Sequence, residues 1–311
     1  MLVDHNSLVL FLASPDGGVG RNIAEVLGRL GSKPSFYTAI GGKSDGHGII
    51  SRLRNKCGVM TSSKSVHVAA DLNTAHYLGL LDNNSDLVGG VADMEVLSRI
   101  PIPAVEDLSG VELLVLDSNA PVETLTMVAK NGVKAGCHVC LDPTSVPKAR
   151  LVSRSMEFVE CLTFVFPNKD ELLAMAEELN DGIESSYGSI NASDEYKLLR
   201  DAASVLLSRM KSDKAHIVIT LGKAGVLLAS KADNISTPLK FEHFPADIVA
   251  NIKSSNGAGD TLCGAFIHAL LKGASVEEAV HFGMKASLFS LDCAEHAISP
   301  ILSTLQFKFR L

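Results

Sequence analysis

The chain has 311 residues, 46% of them hydrophobic, 5% aromatic and none Trp, enough for the large buried core of one α/β domain with at most a small appendage. Its formal net charge of -7, without blocks of like charge, argues against a nucleic-acid or anionic-membrane surface but leaves room for a local phosphate pocket. The six Cys are scattered, which disfavours a disulfide scaffold and points to a reducing, cytoplasmic setting, and no stretch approaches the length of a membrane span.

Residues 7–13 follow Asp4 and His5 rather than a basic segment, and the run is short for a signal core, so it reads as a strand. Residues 22–30 carry an amphipathic helix pattern closed by Gly31, and 35–40 form a short apolar run. The segment 65–91 alternates and turns at Asp82-Asn83-Asn84, which predicts an antiparallel hairpin lying over the main sheet. From Leu113 onward strand and helix alternate: strand 113–116, helix 122–131, strand 139–141, strand 164–166 and the helix Lys169–Leu179. A polar loop spans 182–193, followed by helix 196–210, strand 217–221, late edge strands at 225–229 and 241–249, and the closing helices Ala258–Leu271 and Val276–Leu291. Runs such as Leu114-Val115-Leu116 and Ile217-Val218-Ile219 are apolar on both faces, as buried parallel strands are. Cys137 and Cys140 fall on such a strand, where positions three apart face opposite sides; they read as core residues, not as a metal or redox pair.

Four motifs carry candidate chemistry. Asn256-Gly257-Ala258-Gly259-Asp260-Thr261 opens an apolar helix. Its glycines allow close backbone approach, and its free N–H groups favour an anion. Asp260 there suits removal of a proton beside a transferring phosphoryl group, or it merely complements the helix start. Thr220-Leu221-Gly222-Lys223-Ala224-Gly225 follows a buried strand and suits a nucleotide, or is an ordinary glycine turn. Asn168 and Glu171 lie three apart at another helix start, where their oxygens suit Mg²⁺ through water or form a capping box. Gly17-Gly18-Val19-Gly20-Arg21-Asn22 places exposed backbone before a helix, with Asn22 able to bind a polyol. It lacks the spacing of a dinucleotide site, and a plain helix entry also explains it.

In this order the motifs resemble the PfkB/ribokinase family of carbohydrate kinases over nearly the whole chain. The resemblance implies an α/β fold, a ribokinase-like three-layer α/β/α sandwich over 1–311, with a small lid from about 1–16 and 65–93. It implies an ATP-dependent phosphotransferase in which Asp260 is the base and the N–H groups of Gly257, Ala258 and Gly259 stabilise the γ-phosphoryl. Asn168 and Glu171 would organise Mg²⁺ and phosphates, with Glu171 the metal-side residue. Thr220, Gly222, Lys223 and Gly225 would line the nucleotide, and Gly17, Gly18 and Asn22 would hold sugar hydroxyls. Within the family, residues 17–25, the segment ending Val91-Ala92-Asp93-Met94, Asp142–Lys148 and Ile298-Ser299-Pro300 are similar to the pseudouridine kinase branch. This implies phosphorylation of the 5′-hydroxyl of pseudouridine; ribose, adenosine and inosine-like acceptors are the alternatives. Members often use a monovalent cation such as K⁺ and dimerise through the lid.

Some positions depart from the family pattern. Only sixteen residues precede Gly17, and none matches the usual strand with its glycine-plus-Asp motif. The first strand and a sugar-binding carboxylate are therefore expected to be missing, which raises the alternatives of a truncated, non-catalytic ligand-binding form or part of a longer fused protein. The segment 41–48 is expanded, and Ser255-Asn256 replaces a Thr pair, with Asn256 a candidate helix cap.

Overall fold

The computed structural model describes residues 6–10, 18–43, 46–81, 87–180, 192–231, 239–247, 252–293 and 296–307. In chain order the elements are β1 (Asn6–Leu10), α1 (Val19–Arg29), β2 (Ser35–Gly41), α2 (Gly46–Cys57), β3 (Val66–Ala69), β4 (His76–Leu81) and β5 (Leu87–Asp93). They continue with β6 (Val111–Asp117), α3 (Val122–Ala135), β7 (His138–Asp142), α4 (Val146–Ser153), α5 (Met156–Val159), β8 (Leu162–Val165), α6 (Lys169–Leu179) and α7 (Ala192–Arg209). The last are β9 (His216–Thr220), β10 (Val226–Ser230), β11 (Lys240–Phe244), α8 (Ala258–Leu271) and α9 (Val276–Leu291).

Among the described residues one sheet has the order β11-β10-β9-β8-β7-β6-β1-β2-β3. Its strands pair in parallel from β3 across to β9, and β10 and β11 are antiparallel additions. The doubly apolar runs have a direct explanation here. Leu114 and Leu116 join a core with α3, α4, α6 and α7 on one face, while Leu113 and Val115 join a second core with α1, α2, α8 and α9 on the other. Successive strand residues thus feed opposite layers, giving the three-layer sandwich. Cys137 and Cys140 sit one in each core, as core cysteines would.

Two expectations are corrected. The first strand is not missing: β1 lies between β2 and β6, Val9 pairing with Phe36 on one side and Val115 on the other. Residues 6–10 therefore belong to the main sheet and not to a lid. β3 likewise extends that sheet beside β2, so the separate two-stranded unit is the β4–β5 hairpin alone, with His76 opposite Asp93. Gly17, the Asp82-Asn83-Asn84 turn, most of the 182–193 loop and the end of the 241–249 run lie outside the described residues. No described helix is long and apolar enough to cross a membrane.

Candidate active site

The predicted residues gather where open parallel sheets expose ligand sites, at the carboxyl ends of the strands. Asp117, Asp142 and Thr220 close β6, β7 and β9, and Asn168 caps α6 just after β8. The starts of α1, α6 and α8 face the same end.

Gly257 is the N-cap of α8, in the left-handed region at φ 75. A Cβ there would run into the Ala297 carbonyl, so both conformation and space require glycine. The expected cap Asn256 is instead exposed and outside the helix. Thr261 locks the turn, its Oγ1 donating to the Gly257 carbonyl at 2.7 Å and lying 2.7 Å from Ser290 Oγ. The Ala258 N–H reaches back to the Ser255 carbonyl at 3.3 Å. Helix geometry leaves the N–H groups of Gly257, Gly259 and Asp260 without an intrahelical partner at this start. Gly259 is exposed and a Cβ added there would meet nothing within 4 Å, so the start of α8 is sterically open at this residue.

Asn22 and Asp260, 238 positions apart, meet directly: Asn22 Nδ2 donates to Asp260 Oδ2 at 2.6 Å. Packing of α1 on α8 makes this contact. Gly264, one turn beyond Asp260, lies against Val26 and the Ile23 carbonyl with no room for a side chain. Asn22 is 3% exposed, and its Oδ1 accepts from Arg21 at 2.7 Å. Gly18 caps α1, its carbonyl accepting the Asn22 N–H at 2.9 Å.

A second layer of polar residues surrounds this pair; Asp142 and Lys148 bound a segment noted above for its likeness, but none of the layer was given a role in the site. Asp117, 1% exposed, accepts N–H bonds from Gly20 at 3.3 Å and Asn119 at 3.0 Å. The Asn119 amide also donates to Asp117, and Lys148 donates to Asn119 Oδ1. Asp117 thus ties the glycine-rich start of α1 to the loop after β6. Asp142, also buried, accepts from the Thr144 N–H at 2.8 Å. The sequence signal for both Asp residues is an acid directly ending an apolar strand. Burial pushes Asp117 up to about 6, partly opposed by its Asn119 bonds and the Lys148 charge. Burial, then the charges of Asp260 and Glu171, drives Asp142 well above the usual carboxylate range. Asp260 rises to about 7 through burial, against the Asn22 hydrogen bond.

Asn168 and Glu171 form the full capping box of α6: Asn168 Oδ1 accepts the Glu171 N–H at 2.9 Å, and Glu171 Oε2 accepts the Asn168 N–H at 2.8 Å. The structural alternative is therefore realised. Burial raises the Glu171 carboxyl above its ordinary value. Among the described residues no cluster of three or more His, Cys, Asp or Glu is arranged to enclose a metal. The set instead fits a hydrated Mg²⁺ carried in by phosphates, for which one or two carboxylates acting through water suffice. Asn168 also bridges to Thr220, whose N–H donates to the Pro167 carbonyl at 3.0 Å. After Thr220 the chain turns through Gly222 at φ 55, exposing Gly222 and Lys223, and returns at Gly225, φ 94, where a Cβ would strike the Phe244 carbonyl. The structure thus joins Asn22 to Asp260 and Asn168 to Thr220 and Glu171, and sets the 222–225 turn beside the latter. Gly17 lies outside the described residues.

Residues 15–301 match the family described as pfkB family carbohydrate kinase. Among curated relatives, a pseudouridine kinase of Arabidopsis thaliana is 24% identical, with 87% of this chain and 80% of the relative covered. A pseudouridine kinase of Escherichia coli is 27% identical over 92% of this chain and 83% of the relative. Among solved structures, a ribokinase from Cryptococcus neoformans in complex with ADP superposes with a TM-score of 0.75 at 17% identity, covering 96% of this chain and 99% of that one. With residues 15–301 matched, the chain belongs to the pfkB family of carbohydrate kinases, enzymes that phosphorylate sugars or nucleosides.

Proposed function

We propose that this chain transfers the γ-phosphate of ATP to the 5′-hydroxyl of a nucleoside, with pseudouridine the first candidate. The observation that carries the reading is the Asn22–Asp260 pair at the open start of α8. A carboxylate near neutrality is suited to take the hydroxyl proton as the acceptor oxygen attacks, since a general base works best with its pKa near the working pH. The N–H groups of Gly259 and Asp260, with those of Gly257 and Ala258 completing the turn, would stabilise charge on the migrating phosphoryl. Asn22 and Gly18 would hold the sugar, and Asp117 would keep their loop in place through Gly20. Thr220, Gly222, Lys223 and Gly225 would line the nucleotide, with Asn168 fixing the adjoining corner. Glu171 would hold Mg²⁺ through water; bound there, the ion supplies neutralisation of phosphate charge. The β4–β5 hairpin, with Tyr77 and Val91 exposed on it, would act as the lid that excludes water and as the contact with a second copy.

The acceptor rests on the two curated relatives, both pseudouridine kinases. The likeness to a ribokinase structure favours ribose as the second acceptor to test. Because β1 takes its place between β2 and β6, the missing strand no longer argues for a non-catalytic form. The test is ADP release by purified protein with ATP, Mg²⁺ and pseudouridine, ribose or adenosine. Turnover with pseudouridine above the others is expected, and Asp260→Asn should lower kcat by roughly a thousandfold or more while nucleotide binding persists. Absence of ADP release with every acceptor would overturn the reading.

A further inference from the structure

Arg21 stands beside Asn22 at the start of α1, and its guanidinium makes two contacts. One terminal nitrogen donates to Asn22 Oδ1 at 2.7 Å, and the other pairs with Glu25 one turn on. Glu25 is also paired by Arg29, whose Nε donates to it at 2.7 Å. One buried carboxylate therefore sits between two cations, and this face of α1 keeps a net positive charge. The Arg21 side chain is 13% exposed, and among the described residues nothing accepts from its buried Nε.

The Asn22 carboxamide has an acceptor at one end and donors at the other. Arg21 has only donors and so claims the oxygen, which turns the amide nitrogen toward Asp260 at 2.6 Å. The contrary pressures on Asp260 come from Asp117 at the end of β6, Asp142 at the end of β7 and Glu171 on α6. Cys263, on α8 itself, is a neutral buried thiol. Lys148, from α4, faces Asp117 through Asn119. Arg21 is thus the cation set against three carboxylates around the base.

We propose that Arg21 is a positioning residue that, acting through Asn22, orients Asp260 and holds it in its proton-accepting form. Burial is the largest influence raising Asp260, and the Asn22 hydrogen bond and the Arg21 charge are the influences that lower it. The kinetic consequence rests on Asp260 being the base; the electrostatic one does not.

The two are separable by experiment. Selective carboxyl-¹³C labelling of aspartate, with the Asp260 signal assigned by its loss in Asp260→Asn, gives the titration midpoint of Asp260 directly. In Arg21→Gln that midpoint should rise by about one pH unit, and Arg21→Lys should restore most of it. Glu25→Gln, which frees Arg21 from its counter-charge, should move it the other way and decides the matter if Arg21→Gln does not fold. In kinetics, the acid limb of kcat/KM should move up with the midpoint, so that Arg21→Gln loses roughly tenfold below neutrality and recovers near pH 9. An unchanged midpoint in Arg21→Gln, or a loss of kcat/KM equal at every pH, would overturn the proposal. If wild-type protein turns over no acceptor, the functional reading fails while the titration still decides the role of Arg21.

Discussion

Gly264 sets the distance on which the Asn22–Asp260 pair depends. A Cβ at this position would stand 2.7 Å from Val26 Cγ1, 2.8 Å from Val26 Cβ and 3.3 Å from the Ile23 carbonyl oxygen. Comfortable carbon contacts begin at about 3.5 Å, so in Gly264→Ala α1 and α8 must part locally by about 0.7 to 0.8 Å. Taken up between the helices, that separation stretches the 2.6 Å bond to about 3.3 Å, beyond the range of a strong charge-assisted hydrogen bond. Overpacking of this kind costs about 1–3 kcal/mol, while Gly→Ala inside a helix returns up to about 1 kcal/mol. The net destabilisation should therefore be about 0–3 kcal/mol, whereas misplacing a base by most of an ångström should lower kcat by tens to a hundredfold. Adding Val26→Ala removes the Cγ1 contact but leaves Val26 Cβ, so the double variant should recover only part of the loss. Thermal unfolding and steady-state kinetics on the three variants provide the check. Gly264→Ala with near wild-type kcat and a raised Tm would show that the helices have slack and that the close approach is not what aims Asn22.

Asp117 offers a pH test. Its carboxyl is raised from 3.8 to about 6 by burial, so the folded state holds its proton more tightly than the unfolded chain. Its contribution to stability must then fall as pH rises from about 4 to 6 and stay level above that, by on the order of 2–3 kcal/mol. The difference in unfolding free energy between Asp117→Asn and wild type should shift in favour of the variant across that window and then plateau. His216 and His268, both lowered to about 4 by burial, act in the opposite sense in both proteins and cancel; a difference independent of pH would refute the assignment. At the start of α8, Gly257→Ala should destabilise markedly more than Gly136→Ala, as judged by Tm. Both positions have positive φ, at 75 and 88, but an added Cβ strikes the Ala297 carbonyl at Gly257 and meets nothing within 4 Å at Gly136. Gly136→Ala should cost about 1–2 kcal/mol from the left-handed backbone alone, and equal effects at the two positions would discount the steric argument.

How much of this was legible in the sequence differs by element. Leu113–Leu116 and Ile217–Ile219 announced buried parallel strands because each face of the sheet feeds its own core. Helix α2 was missed: its glycine-rich, charged sequence hid the buried positions Ile49, Ile50, Leu53 and Cys57, whose spacing is helical. Asp260 and Asn22 could be picked out because glycines beside a helix start are a local pattern. That they touch could not, since it arises from helix packing 238 positions away. Asp117 and Asn119 escaped for the same reason, and Lys148, though within the segment Asp142–Lys148, had no role assigned, each being an ordinary polar residue until strand and helix ends bring them together. Glu171 is the instructive case: capping box and phosphate-site chemistry use the same residues, and the box is what the fold itself builds.

The electrostatics of the site then constrain what can enter it. Asp117, Asp142, Glu171 and Asp260 converge on one sheet end, and burial raises all four. Among the described residues the cations facing them are Lys148 and Arg21, so full ionisation would leave this cluster net negative. Helix starts contribute partial positive charge, but only over their first turn. A polyphosphate approaching unaccompanied meets this field before it reaches the donors of α8, whereas one bearing its own divalent cation arrives with the repulsion largely cancelled. On the proposed reading, the same crowding that would make Asp260 basic enough to take a proton would also favour a nucleotide that arrives paired with its metal, and both effects would trace to carboxylates held at the ends of buried strands.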